Sequence, residues 1–184
     1  LVRDGRIVSM EAMSEFLKET LRREKISGRP CGVVLPAALA MARRVTLPAM
    51  TTQQLELNLP YEFRDYISGE KNRYFYDYAV IDMEYGADGK PERMELMTAA
   101  TPKSVIADYA ALCRRAGLKL TAAAPVEFAW INLLRAHIRE VPADGGKTWC
   151  IADLGHGATK VYIFTGDRLE ATRIIEVGGA QMDR

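Results

Sequence analysis

The sequence predicts a mixed α/β fold, and three observations carry that prediction. A helical stripe of apolar residues follows Ser9, and an aromatic, β-branched run from Tyr74 to Glu84 leads into a Gly/Asp turn. Beyond residue 148, three apolar runs are separated by glycine-bearing turns. The 184 residues include 25 basic and 24 acidic side chains, for a net charge of +1, with 48% apolar and 27% charged composition. Such a composition belongs to an ordinary globular protein. The near-neutral balance disfavours nucleic-acid binding or membrane attraction driven by bulk charge. Cys31, Cys113 and Cys150 form no CxxC pair, and His137 and His156 are too few for a metal cluster. Free, buried thiols in a reducing compartment are expected. The most apolar segment, Leu118 to Leu134, is broken by Lys119, Pro125, Glu127 and Asn132, so neither a spanning helix nor a signal peptide is expected.

Taken in order, apolar positions 10, 13, 16, 17 and 21 mark a first helix with Ser9 as N-cap, ended by Ile26 and Ser27-Gly28. Gly32 to Leu35, bounded by prolines, reads as a buried strand, and Met41 to Leu47 as a second. A helix from Thr51 to about Tyr66 is interrupted or kinked by Pro60. Tyr74–Glu84 and Arg93–Ala100 make a hairpin around Gly86-Ala-Asp-Gly89. Thr101-Pro102 suits a cap and first position of a helix that runs to Gly117, followed by a strand over 118–123. A helix over 125–138 is expected to bury Val126, Ala129, Trp130, Leu133 and Leu134. After the turn at 142–146, strands at Trp149–Gly155, Ala158–Phe164 and Leu169–Val177 form a meander through the turn at Thr165-Gly-Asp167, and Gly178-Gly179 opens a last helix that includes Asp183 and Arg184.

The sharpest constellation is Asp153-Leu-Gly155-His-Gly157-Ala-Thr159. An acid ends an apolar strand and enters a Gly-x-Gly turn with a hydroxyl two residues later. Glycines there permit positive φ or close backbone approach, so successive amides can converge on a phosphate. Asp153 is placed to hold a hydrated Mg²⁺ and Thr159 to donate a hydroxyl. A plain hairpin turn is the alternative. Gly178-Gly179 repeats the pattern of strand, paired glycines and helix start. Glu127 sits in the first turn of an apolar helix, where it either complements the helix dipole or orients water.

In this order, Pro125-Val-Glu127-Phe-Ala, Asp153-Leu-Gly155-x-Gly157-x-Thr159 and Arg173-x-Ile-x-Val-Gly178-Gly179 resemble the actin/sugar-kinase/DnaK-type ATPases. Thr46-Leu-Pro-Ala-Met50, Tyr61-Glu-Phe-Arg-Asp-Tyr-Ile67, Ala100-Thr-Pro-Lys103 and Ala116-Gly-Leu118 narrow the resemblance to the PilM family, actin-like and FtsA-related components of type IV pilus assembly. The resemblance implies an α/β chain in three parts: the end of a first actin-like subdomain over 1–28, an inserted subdomain over 29–101, and an actin-like portion with the second phosphate loop over 102–184. It implies ATP and Mg²⁺ in the intact protein. Asp153, Gly155, Gly157, Thr159, Gly178 and Gly179 would contact nucleotide or metal, and Glu127 would poise water. It further implies a cytoplasmic scaffold that binds the cytoplasmic tail of a PilN-like inner-membrane protein and the pilus platform, with self-association as a further partner mode. The Tyr74–Glu84 strand would offer the peptide an edge or groove. The family's first phosphate loop and its adenosine loop are absent from these residues, and both ends read as cuts through a longer chain. Tight ATP binding or hydrolysis by this segment alone is therefore not expected. An FtsA-like division scaffold and a sugar-kinase-type phosphotransferase are the alternative functions.

Overall fold

The computed structural model describes residues 1–3, 6–67, 69–138, 147–166 and 168–182. The expected turn at 142–146, Asp167, and Asp183 and Arg184 of the last helix lie outside the described residues. The chain forms two compact units, residues 1–126 and 127–184.

The first unit opens with a short antiparallel pair, β1 (Val2–Arg3) and β2 (Arg6–Ile7), which the sequence did not signal. Helix α1 (Met10–Arg23) starts where expected, because the Ser9 hydroxyl accepts from the Ala12 amide at 3.2 Å. Its stripe is rotated from the expected one: Ser14 is buried, returning its hydroxyl to the Glu11 carbonyl at 2.8 Å, while Phe16 is exposed. Strand β3 (Pro30–Leu35) pairs in parallel with β7 (Lys119–Pro125).

Between these strands the chain builds a three-stranded antiparallel sheet in the order β4 (Met41–Pro48), β6 (Pro91–Pro102), β5 (Tyr74–Tyr85). Helix α2 (Thr52–Glu62) is fixed at its start by a capping box: the Thr51 hydroxyl accepts from the Gln54 amide, and the Gln54 side chain accepts from the Thr51 amide. Its Leu55 and Leu59, with Phe63 just beyond, recur every four residues and are at most 2% exposed. Each contributes roughly 1.5–3 kcal/mol of burial. Pro60 sits in the last turn and the helix stops at Glu62, short of the expected Tyr66, since the ring cannot donate to the preceding turn.

Tyr74 and Tyr76 pack around Phe63 and Ile67, and Tyr78 and Met83 around Val45, Leu55, Met94 and Leu96. The three tyrosines therefore share one sheet face, as alternation requires. A register slip between Val80 and Asp82 then turns Met83, rather than Asp82, toward that core. A one-turn 3₁₀ helix, Lys71–Arg73, leads into β5. Helix α3 (Lys103–Arg115) begins one residue later than expected; the Thr101 hydroxyl donates to the Leu39 carbonyl at 2.9 Å instead of capping.

The second unit contains α4 (Val126–Ile138, from its second residue), strands β8 (Thr148–Leu154), β9 (Thr159–Thr165) and β10 (Arg168–Ile175), and a short α5 (Gly179–Met182). The strands form an antiparallel meander with β9 central. Tyr162 and Phe164 of β9 are fully buried. Among the described side chains of α4 the buried ones are Glu127, Ile131 and Leu134, whereas Leu133, expected inside, is 56% exposed.

Candidate functional site

The site is built from the bend joining β8 to β9. The ladder pairs Asp153 with Lys160 and Leu154 with Thr159, leaving residues 155–158 to close the turn. The Gly155 amide donates to the Ala158 carbonyl at 3.0 Å. The next three amides, of His156, Gly157 and Ala158, find no backbone acceptor among the described residues. Successive N–H groups without acceptors can bind an anion where they point to one place. Asp153 precedes them, half-buried, and its carboxylate makes no hydrogen bond or ion pair among the described residues.

Gly178 and Gly179 dock on the same bend. The Gly179 amide donates to the Gly155 carbonyl at 3.0 Å and the Ala180 amide to the His156 carbonyl at 2.8 Å. The approach leaves no room for a side chain: a Cβ on Gly178 would lie 2.5 Å from the Gly155 oxygen and 2.6 Å from the His156 oxygen. At Gly155 a Cβ would meet the Ala158 oxygen at 2.8 Å. None of Gly155, Gly157, Gly178 and Gly179 has positive φ. Close approach, rather than the left-handed backbone the sequence also allowed, is what glycine provides at 155 and 178. Gly157 meets nothing within 4 Å.

The Thr159 hydroxyl donates to the Val177 carbonyl at 2.7 Å, tying β9 to the segment that carries Gly178. Its one proton is thereby committed, so the hydroxyl faces any anion as an acceptor unless that bond opens.

Glu127 is brought near this bend from α4. It is 5% exposed, and its Oε2 has no partner. Burial raises its carboxyl above the usual range, while its own backbone amide and the Lys160 ammonium pull it down. Tyr162 is pushed up to about 12 by burial, then by the charges of Glu127 and Asp153, with the Trp130 indole opposing. The ring centroids of Trp130 and Tyr162 are 6.0 Å apart. Asp153, Lys160, Tyr162, Trp130 and Glu127 thus form one neighbourhood. Sequence reading gave no role at the site to the middle three and expected Trp130 only in the core. The signal was present in the period of two along β9, where Lys160, Tyr162 and Phe164 share a face, and in the three-residue spacing of Glu127 and Trp130 on α4.

The donor set fits a Mg²⁺-bound phosphate in kind: open backbone amides, one free carboxylate and a nearby ammonium. Among the described residues no cluster of three or more His, Cys, Asp or Glu could hold a metal. The thiols are all free, but only Cys113 is buried; Cys31 is half-buried and Cys150 exposed. No helix among the described residues is long and apolar enough to cross a membrane.

In the first unit, β5 is an edge strand. Beside its first residue opens a cavity of about 560 Å³ lined by Glu70, Asn72, Arg73, Tyr74, Pro102, Lys103 and Ser104.

Comparison with known proteins bears on the whole chain. Among curated proteins none matches the sequence. A chain of the PilM–PilN type IV pilus biogenesis complex superposes with a TM-score of 0.81 at 21% identity, covering 98% of this chain and 52% of that one. The cytoplasmic domain of EpsL, an inner-membrane component of the Vibrio cholerae type II secretion system, superposes with a TM-score of 0.54 at 16% identity, covering 94% and 58%. At these identities the likeness is one of fold, and the chain spans about half the length of the solved structures it matches. The model of the family described as type IV pilus assembly protein PilM matches residues 1–184. This chain belongs to that PilM family.

Proposed function

We propose that the chain is part of a cytoplasmic, actin-like scaffold of pilus assembly. In this reading the scaffold binds Mg-ATP through the bend at 153–159 and a PilN-like cytoplasmic segment through the first unit. The observation that supports the nucleotide half is the run of three amides, at 156–158, without acceptors, beside a carboxylate without a partner. Bound Mg²⁺ would supply charge neutralisation between phosphate oxygens and Asp153, through its waters. The protein's own contribution is positional. The amides of His156 and Gly157 hold the phosphate, Gly178 and Gly179 fix the bend, with Gly178 packed against the Ala158 nitrogen, and Glu127 bears on water at the site's inner side. Support for the peptide half is the position of β5 at the edge of its sheet and the cavity at its start, which suit an extended segment adding to the sheet. Family membership and the match to a PilM–PilN complex point the same way.

The test is calorimetric titration of the intact protein with Mg-ATP. Asp153→Ala is expected to abolish binding while leaving the far-UV spectrum and unfolding midpoint unchanged. Unchanged affinity in the variant would remove Asp153 from the site.

A further inference from the structure

Among the described residues three buried side-chain polar atoms have no hydrogen-bond partner: Glu127 Oε2, Trp130 Nε1 and Tyr162 Oη. All three belong to the second unit and to one neighbourhood. Glu127 and Trp130 are three residues apart on α4, and Tyr162 faces Trp130 from β9. A single orphan is a local accident. Three orphans converging on one place point to something that completes them, because a buried polar group left unpaired costs about 1–3 kcal/mol.

None of the three atoms makes a well-formed hydrogen bond to another, although the Trp130 indole lies near enough to the Tyr162 hydroxyl to oppose the rise of its pKa. The complementarity of the set defines the missing group. Trp130 Nε1 is a donor only, while Glu127 Oε2 and the Tyr162 hydroxyl oxygen can each accept. One small molecule that accepts from the indole and the phenol and donates to the carboxylate satisfies all of them. Water does this with one proton to spare, and buried waters make about three such bonds.

We propose that the second unit binds one structural water between α4 and β9, bridging Glu127, Trp130 and Tyr162 and fixing the orientation of the Glu127 carboxyl. The water lies against the shielded oxygen Oε2, so it anchors the carboxyl and is not a reactant. Tyr162, held protonated well above neutral pH, remains a donor to it. The site stands on the packing of α4 and β9 and does not depend on nucleotide binding.

A crystal structure of the intact protein that resolves ordered waters is expected to show one density peak within hydrogen-bond distance of all three atoms. An empty site, or direct Trp130–Tyr162 and Tyr162–Glu127 bonds, would overturn the proposal. The second measurement is a double-mutant cycle of Trp130→Phe and Tyr162→Phe by urea unfolding. If both hold the same water, each single change lowers the folding constant about tenfold and the pair together much less than a hundredfold. Strict additivity would show two unrelated sites.

Discussion

At the scale of the residue, the glycines of the bend divide into those that are needed and one that is not. At Gly178 an added Cβ would press on three backbone atoms, the oxygens of Gly155 and His156 and the Ala158 nitrogen at 2.7 Å. Backbone cannot swing aside as a flexible side chain can. Gly178→Ala is expected to lower stability by about 1–3 kcal/mol. Gly157→Ala, facing open space at an ordinary φ, is expected to be neutral or to stabilise by about 0.4–1 kcal/mol. Urea midpoints of the two variants check this; equal midpoints would mean the segment at 178 does not dock on the bend. Cys113 offers a second test. Burial first, and the Cys31 thiol at 3.6 Å second, push Cys113 up to about 11 from 9.0. The folded chain therefore holds a proton that the unfolded chain releases near 9. Its contribution is complete below that pH and is lost as pH rises through about 11. Between those values the urea midpoint of Cys113→Ala is expected to fall less steeply than that of the unaltered protein; parallel profiles would contradict the shift. Residue types on the bend were legible in the sequence, but their reasons were not. Close approach depends on Gly178 meeting Gly155 across 23 positions of chain, and no local pattern encodes it.

At the scale of the element, two helices end in the same way with different residues. In α3 the Gly117 amide donates to the Arg114 carbonyl at 3.1 Å and the Leu118 amide to the Cys113 carbonyl at 2.8 Å, with Gly117 at φ +83°. In α1 the Lys25 amide donates to Arg22 at 3.2 Å and the Ile26 amide to Leu21 at 2.9 Å, but the left-handed position is Lys25, at φ +54°. Both are Schellman ends, and only one has the residue that adopts the conformation freely. Lys25→Gly is expected to raise stability by about 1 kcal/mol, and Gly117→Ala to lower it by a similar amount. A Lys25→Gly protein no more stable than its parent, by urea midpoint, would show that α1 does not end in this motif. The same contrast explains what sequence could locate. Gly117 announced the end of α3, whereas the end of α1 was read at Ser27-Gly28, because lysine carries no stop signal. Capping chemistry at Ser9 was visible because it is local, and the helix start after Thr51 was read without its capping box. The pairing of β3 with β7 and the burial of Glu127 were not, since each is decided by residues far away in sequence.

At the scale of the whole molecule, the two proposed ligands belong to different compact units, the nucleotide to 127–184 and the peptide to 1–126. A scaffold in which one gates the other must couple them, and coupling at equilibrium is reciprocal. If saturating Mg-ATP changes the affinity for a PilN-like peptide by some factor, saturating peptide changes the affinity for Mg-ATP by the same factor. A value of roughly 5–150-fold is the usual range. Two calorimetric titrations on the intact protein, each with and without the other ligand, measure both sides of the cycle. Asp153→Ala is expected to remove the nucleotide's effect on the peptide without changing the peptide's affinity for the nucleotide-free protein. Chemical-shift changes on peptide addition should fall within residues 30–100 and persist in that variant. Peptide binding that ignores saturating nucleotide would leave two ligands on one chain and no switch between them. Peptide shifts confined to the second unit would instead move the partner's seat away from the β5 edge.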